Sequence, residues 1–400
     1  MTRLLLYPEW LIDGTGADAA RGQAVVIAAG RFERIAPAAA LVATEDDEIV
    51  RLDGMTLIPG LINNHVHLNL PGDNTPFTPW IDLQTDAALA LWSAHNSAVS
   101  LRSGVTTVRD CGGRGTTVLD TRDAQAGGRV SGAHIIACGW PLTISGGHTR
   151  HFGGEVDNED GIRTMVRRVV SKGADYVKVM ASGGGTPGSL SQYPSFTVAE
   201  LRALVETAHG LGRKVSAHCI ATASIANAVE AGVDMIEHAS FYGPDLVPHL
   251  DPRVADLLAE AAIPVTPTLQ VARDMVDLLP DGPERDLWRQ RQEAHHAIVR
   301  TLHARGVPML AGSDAGWRAT AFDTFGKELE ELIVCGLSVP DAIHAATGGV
   351  TRALGYSETF GTIQPGQRAD LVAVAGNLAT DIHCLTHVSA VMQAGARVYP

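Results

Sequence analysis

Three textures of apolar and polar positions follow one another along the chain. Near the amino end, Leu4-Leu5-Leu6 and Ala24-Val25-Val26-Ile27 are short apolar runs, and the second leads into a turn at Ala28-Ala29-Gly30-Arg31. Phe32-Glu33-Arg34-Ile35 then alternates with the two-residue period of a half-buried strand. From Leu57 the texture becomes short apolar runs separated by amphipathic helices, the pattern of a parallel α/β sheet. Eight such runs predict strands over Leu57–His67, Val105–Cys111, His134–Gly139, Tyr176–Ala181, Val215–Cys219, Met235–Ala239, Pro264–Thr268 and Met309–Ser313.

The intervening helices carry start and stop signals. Thr197-Val198-Ala199-Glu200 is a capping box opening Leu201–Gly212, Thr222–Ala231 ends on Gly232, and Asp341–Gly355 has apolar residues at helical spacing. After Gly355 strand texture returns at Gly361-Thr362-Ile363, Ala369–Val374 and Val388–Met392. The expected architecture is α/β: a (β/α)8 TIM barrel over residues 58–357, beside a small β-sandwich assembled from residues 1–57 and 358–400.

Composition narrows the function classes. With 400 residues, 45% hydrophobic and 19% charged, the chain can bury a large core. A net charge of −13 argues against nucleic acid or an anionic membrane as partner and leaves a small-molecule substrate; assembly with further copies of itself is left open. No apolar run reaches membrane-spanning length. The amino end is broken by Pro8 and Glu9 and reads as a first strand, with no signal peptide. Five scattered cysteines without a C-x-x-C pair suit reduced thiols in a cytoplasmic protein. Cys219 beside His218 is a soft donor, but on a strand it faces away from its neighbour.

Candidate chemistry gathers at the ends of the predicted strands. In His65-Val66-His67 two imidazoles at i and i+2 leave an extended strand on one face, close enough to share a metal ion. His218, His238 and Asp314 each follow an apolar run. Taken singly, the histidines are more commonly structural and the aspartate more commonly a loop or cap residue. Lys178 is harder to dismiss, because Tyr176-Val177-Lys178-Val179-Met180 places a lysine inside an apolar strand, and lysine is seldom buried without a partner. Burial favours a neutral amine, which can add carbon dioxide and become a carbamate whose two oxygens bridge cations. Imidazole, carboxylate and carbamate together suit Zn²⁺ or a similar first-row ion. In a barrel of this kind, strand ends far apart in sequence converge on one mouth.

Several segments resemble the metal-dependent amidohydrolase superfamily and, within it, the imidazolonepropionase-like branch with its Xaa-Pro dipeptidases. They are Leu57-Ile58-Pro59-Gly60-Leu61-Ile62-Asn63-Asn64-His65-Val66-His67, Gly173–Gly184, Ser216-Ala217-His218, Ala231–His238, Gly312-Ser313-Asp314 and Gly366-Gln367-Arg368-Ala369-Asp370-Leu371-Val372. The resemblance implies a two-metal centre. One ion would be held by His65, His67 and Asp314, the other by His218 and His238, with carboxylated Lys178 bridging. It further implies hydrolysis of an amide bond, in a dipeptide or N-acyl amino acid, by a metal-bridging hydroxide with Asp314 moving the proton. His148 in Ser145-Gly146-Gly147-His148 matches a segment whose imidazole lies near substrate in that branch. Tyr242 is a second candidate contact, equally readable as structural.

Arg150 and His151 add local positive charge, and His295-His296 on a polar helix reads as surface. The glycine run at 183–188 departs from the dipeptidase pattern, which separates substrate choice from the rest of the resemblance. Alternatives are a hydrolase of a cyclic amide, carbamate, urea or xenobiotic amide with the same centre, and a deaminase. Lys178 argues against the deaminase, which normally works with a single metal and no bridging lysine. A scaffold that has lost its ligands is disfavoured because all six ligand positions are filled.

Overall fold

The structure, a computed structural model, describes residues 3–399. Strands from both ends of the chain share one eight-stranded sheet. Leu4–Leu11 lies parallel to Glu48–Pro59 (Leu5 opposite Ile49) and antiparallel to Gln23–Ala28 (Leu5 opposite Val26). Leu371–Ala375 joins antiparallel on the other side, with Val372 opposite Ile58, and Val388–Gln393 and Ala396–Tyr399 follow. Pro8 cannot donate a ladder bond, and the register shifts between Pro8 and Trp10. Ala29 (φ 49°) and Gly30 (φ 75°) make the tight turn between Gln23–Ala28 and Arg31–Pro37, as a two-residue hairpin requires. Leu6, Val25, Phe32, Leu57, Ile363 and Leu371 belong to one apolar core, so the two chain ends are held by shared burial as well as by the ladder.

The run Leu57–His67 is two strands. Glu48–Pro59 stays in the terminal sheet, while Leu61–Val66 pairs in parallel with Val105–Asp110. The break falls at Gly60, where a Cβ would lie 2.1 Å from Thr106 Oγ1, so only glycine lets the chain cross between the sheets there.

Inside, Leu61–Val66, Val105–Asp110 and His134–Ala137 form one parallel sheet, and Val177–Met180, Val215–Ala221, Met235–Tyr242 and Val265–Thr266 form another. Backbone bonds link the groups at both edges. Leu142 N–H donates to Lys178 O (2.9 Å) and Met180 N–H to Leu142 O (2.8 Å). On the far side Leu310 N–H donates to Val265 O (2.9 Å), Asn64 N–H to Ala311 O (3.0 Å) and Asp314 N–H to His65 O (2.8 Å). The segment expected as an eighth strand, Met309–Ser313, makes these bonds without forming a regular strand. It leaves extended geometry at Asp314 (φ 60°), and a Cβ on Gly312 would meet Thr266 Cγ2 at 2.5 Å.

Helices flank these strands in a mixed α/β arrangement. The capping box at Thr197 and Glu200 opens Val198–Gly210, and Gly232 closes Thr222–Ala231 in left-handed conformation. The helix expected over Asp341–Gly355 is two short ones, Val339–Ala345 and Gly348–Leu354, broken at Thr347. A Cβ on Gly348 would lie 2.5 Å from Gly14 O, so the amino-terminal segment fills the space a continuous helix would need. Among the described residues no helix is long and apolar enough to cross a membrane.

Candidate metal centre

All eight residues singled out from the sequence line one cavity of about 310 Å³: His65, His67, His148, Lys178, His218, His238, Tyr242 and Asp314. Their strands bring them there from different ends of the chain. His65 lies on Leu61–Val66 with His67 just past it, Lys178 on Val177–Met180, His218 on Val215–Ala221, and His238 on Met235–Tyr242. Ring centroids of His65 and His238 lie 5.0 Å apart, and those of His218 and His238 lie 4.6 Å apart. Asp314 Oδ1 stands 3.5 Å from His65 Nε2 and 3.3 Å from His67 Nε2.

Each imidazole has one nitrogen tied up behind the cavity wall, which settles where the other lone pair points. His67 Nδ1–H donates to Gly112 O (2.9 Å), and His65 Nδ1–H to Glu237 Oε2 (2.8 Å). His238 Nδ1–H donates to Thr268 Oγ1 (2.8 Å), whose hydroxyl hydrogen is committed to Pro267 O (2.7 Å). His218 is turned the other way, with Nε2–H donating to Gly183 O (3.1 Å) and Nδ1 left free. This outer shell fixes tautomer and ring orientation as metal-ligating histidines require.

Two buried groups lack what they need from the protein. Among the described residues Lys178 Nζ has no hydrogen-bond partner although the residue is 1% exposed, and Asp314 Oδ1 has none either. An orphaned buried amine is costly unless something else satisfies it. His65, His67 and Asp314 also offer donor atoms all within 4.8 Å of one another. Oriented imidazole lone pairs, a carboxylate and an unpartnered amine in one cavity are a donor set that fits divalent first-row ions. Backbone strain is concentrated at the same place, with His238 (φ 68°), Thr268 (φ 55°) and Asp314 (φ 60°) all left-handed.

Charge divides the site. Burial holds the imidazolium forms of His218 and His238 well below their usual range, and nearby positive groups add to this. Burial likewise pushes His148 down to about 3, helped by His67. Around His65 burial acts downward too, but Cys111, Asp314 and Glu237 outweigh it and lift the imidazole to about 10. Asp314 is held at about 2, burial opposing and His65 and His67 prevailing. The His65–Asp314 side therefore draws positive charge, while the His218–His238 side offers neutral lone pairs.

Sequence reasoning missed the group behind His65. Glu237 is fully buried and receives Arg109 Nη1–H (2.8 Å) and the Ser216 hydroxyl in addition to His65. Arg109 is buried as well, and its guanidinium lies 4.1 Å from the Tyr176 ring centroid. A buried Arg–Glu pair inside two apolar strands is a signal of the same kind as Lys178, and it was legible at Arg109. Strand alternation hid Glu237, because neighbours 237 and 238 should face opposite ways. The left-handed turn at His238 and Ala239 breaks that alternation.

The remaining candidates sort by position. His148 Nδ1 lies 2.8 Å from Thr186 Oγ1, and its ring is 4.6 Å from that of His218. The glycine run makes room for this: a Cβ on Gly184 would sit 2.6 Å from the His148 ring, and one on Gly185 would sit 2.5 Å from Trp317. Tyr242 is half-buried on the cavity wall. Cys219 points its thiol at Ser224 O (3.6 Å), outside the cavity lining. Arg150 and His151 are engaged by Pro187 O (3.1 Å) and Asp82 (2.9 Å).

His295 and His296 are not surface residues. His295 lines the cavity, and its Nε2–H donates to His238 O (2.9 Å), while His296 pairs with Glu331 (2.6 Å). The Pro283–Ala304 helix that carries them is polar on average, yet Trp288, Arg291 and His295 recur at helical spacing and face inward.

The chain is similar to known proteins over most of its length. A model of the amidohydrolase family matches residues 56–398. The chain is 27% identical over 369 residues to an ochratoxinase of Aspergillus niger, covering 84% of this chain and 73% of that protein. It is 23% identical over 388 residues to an imidazolonepropionase of Chromobacterium violaceum, covering 90% and 86%. The crystal structure of a Xaa-Pro dipeptidase with methionine bound in its active site superposes with a TM-score of 0.88 at 26% identity, covering 99% of this chain and 100% of that one. The chain belongs to the amidohydrolase family and is a hydrolase.

Proposed function

We propose that this chain is a binuclear metal-dependent hydrolase that cleaves the amide bond of a small substrate, a dipeptide or N-acyl amino acid. The observation that carries the reading is Lys178, a buried and unpartnered amine among imidazoles whose outer nitrogens are already committed. Carboxylation would turn that amine into a bridging anion. His65, His67 and Asp314 would then hold one ion, and His218 and His238 the other. When bound, such ions supply a water acidified to roughly pKa 7 and a Lewis acid for the substrate carbonyl.

The chain's own residues do the rest. Asp314, buried with one oxygen unpartnered, takes the proton of the attacking water and passes it to the departing nitrogen, which leaves poorly without it. His148, held by Thr186, presents its far nitrogen to the carbonyl oxygen or a carboxylate. Tyr242 lines the wall beyond His238. Thr268, Gly183, Gly112 and Glu237 keep the four ligand imidazoles in one tautomer each.

For the architecture, we read the two parallel sheets and the linking segments at Leu142 and Leu310 as one closed (β/α)8 barrel over residues 58–357. The terminal sheet folds over its own apolar core as a sandwich. The five unpaired thiols fit a cytoplasmic location.

The test is a library of dipeptides and N-acyl amino acids offered to zinc-loaded protein. Release of free amino acid from at least one class is expected. Ammonia release from an aminated ring, with no amide hydrolysed, would overturn the reading in favour of a deaminase.

A further inference from the structure

The mouth of the cavity carries two cations that the protein does not neutralise. Arg291, on the Pro283–Ala304 helix, and Arg318, in the segment after Asp314, both line the same cavity as Lys178 and the imidazoles. Both lie against one indole, with guanidinium carbons 5.3 Å and 5.2 Å from the Trp288 ring centroid. Among the described residues neither guanidinium has a hydrogen-bond or ion-pair partner. The contrast with their neighbours is direct: on the same helix Arg289 pairs with Asp286, and Arg285 with Asp281.

Physical chemistry makes this arrangement unfavourable on its own. Two half-buried guanidinium groups beside one ring repel each other, and an acidic chain of net charge −13 had many carboxylates available to neutralise them. Burial and Arg291 both disfavour the charge on Arg318, and Glu284 opposes them from outside hydrogen-bonding reach. Arg318 is also held in a left-handed conformation (φ 51°), with its carbonyl accepting Asn74 N–H (2.7 Å). A planar two-oxygen anion matches the forked donors of a guanidinium. The Trp288 ring, with Trp317 and Phe152 in the same lining, supplies an apolar bed for the rest of the molecule.

We infer that Arg291 and Arg318, both seated against the Trp288 ring, form a clamp for a substrate carboxylate. The amide substrate thus bears a carboxylate away from the bond that is cut, and neutral ureas, carbamates and xenobiotic amides lack the group this rim is built to hold. The inference rests on the hydrolase reading for the word substrate, but the clamp itself is a binding site and can be tested without turnover.

The experiment uses metal-stripped full-length protein and follows tryptophan fluorescence as N-acetyl-amino acids, and the same compounds as neutral C-terminal amides, are titrated in. In the wild-type protein the carboxylates should bind ~10-fold or more tightly than the amides, the scale of a charge-assisted pair. In Arg291→Gln/Arg318→Gln that preference should fall to parity, while circular dichroism and melting temperature confirm folding. Equal affinity in the wild-type protein, no saturable binding of the carboxylates, or a preference surviving in the double variant would each overturn the clamp. Failure of the hydrolase reading would appear elsewhere, as wild-type metal-loaded protein that binds these acids selectively and cuts none of them.

Discussion

The floor of the cavity and its mouth are built on opposite terms. On the floor, every ligand imidazole gives one nitrogen to a backbone carbonyl, a hydroxyl or a buried carboxylate, and among the described residues that line the cavity the unpartnered buried atoms are Lys178 Nζ and Asp314 Oδ1. At the mouth, side chains come from one long helix and from loops, and among the described residues Arg291 and Arg318 have no hydrogen-bond or ion-pair partner. Locked groups on sheet strands suit chemistry that tolerates little displacement. Free charges on a helix face suit recognition of whatever enters. On the proposed function, catalysis and substrate choice would be separable in this molecule, and substitutions should divide accordingly.

The sharpest break should come from Lys178→Ala. Activity should drop to background, and a short carboxylic acid added to the assay should restore part of it by standing in for the missing anion. Full activity without the acid would remove Lys178 from the floor's machinery. Asp314→Asn comes next. The fold should persist, since the amide can accept as the carboxylate does, while kcat falls by at least ~10²-fold for lack of proton transfer. Normal turnover in that variant, measured at saturating substrate, would count against the assigned role.

A change one layer back tests whether the floor depends on its outer shell. Glu237→Gln keeps the shape but weakens the hold on His65 and leaves Arg109 buried without its carboxylate. Zinc affinity by competition with a chelator should fall ~10–100-fold. Unchanged affinity would mean that His65 is oriented by packing alone.

The smallest effect lies behind Thr268. Glu328 accepts the backbone N–H of Gln270 (2.7 Å), and burial raises its carboxyl to about 8. A raised native value means that folding favours the protonated acid. The resulting stability is full below the ordinary glutamate value of 4.5 and is lost as pH rises towards about 8. Glu328→Gln should therefore flatten the melting-temperature profile between those limits and raise its alkaline end. Parallel profiles for the two proteins would show that this acid carries no linkage.

How much of this was readable in the sequence follows the same division. His65 and His67 were legible because a strand's period is local, and Lys178 because a lysine between apolar neighbours conflicts with its surroundings. The six ligand candidates share one cavity, as the strand-end pattern implied. Glu237 was hidden by a backbone irregularity that no periodicity reports. The helix break at Thr347 and the ragged segment at Met309–Ser313 were hidden by contacts with Gly14 and Thr266, distant in sequence. His295-His296 reads as surface from the sequence because the mean polarity of Pro283–Ala304 masks its inward stripe of Trp288, Arg291 and His295.

The most direct test is elemental analysis of the purified protein, with Lys178→Ala measured alongside. About two divalent ions per wild-type chain are expected, with a clear loss in the variant. A wild-type chain that binds one ion or none, or a variant that retains the full complement, would contradict a two-ion centre bridged through Lys178.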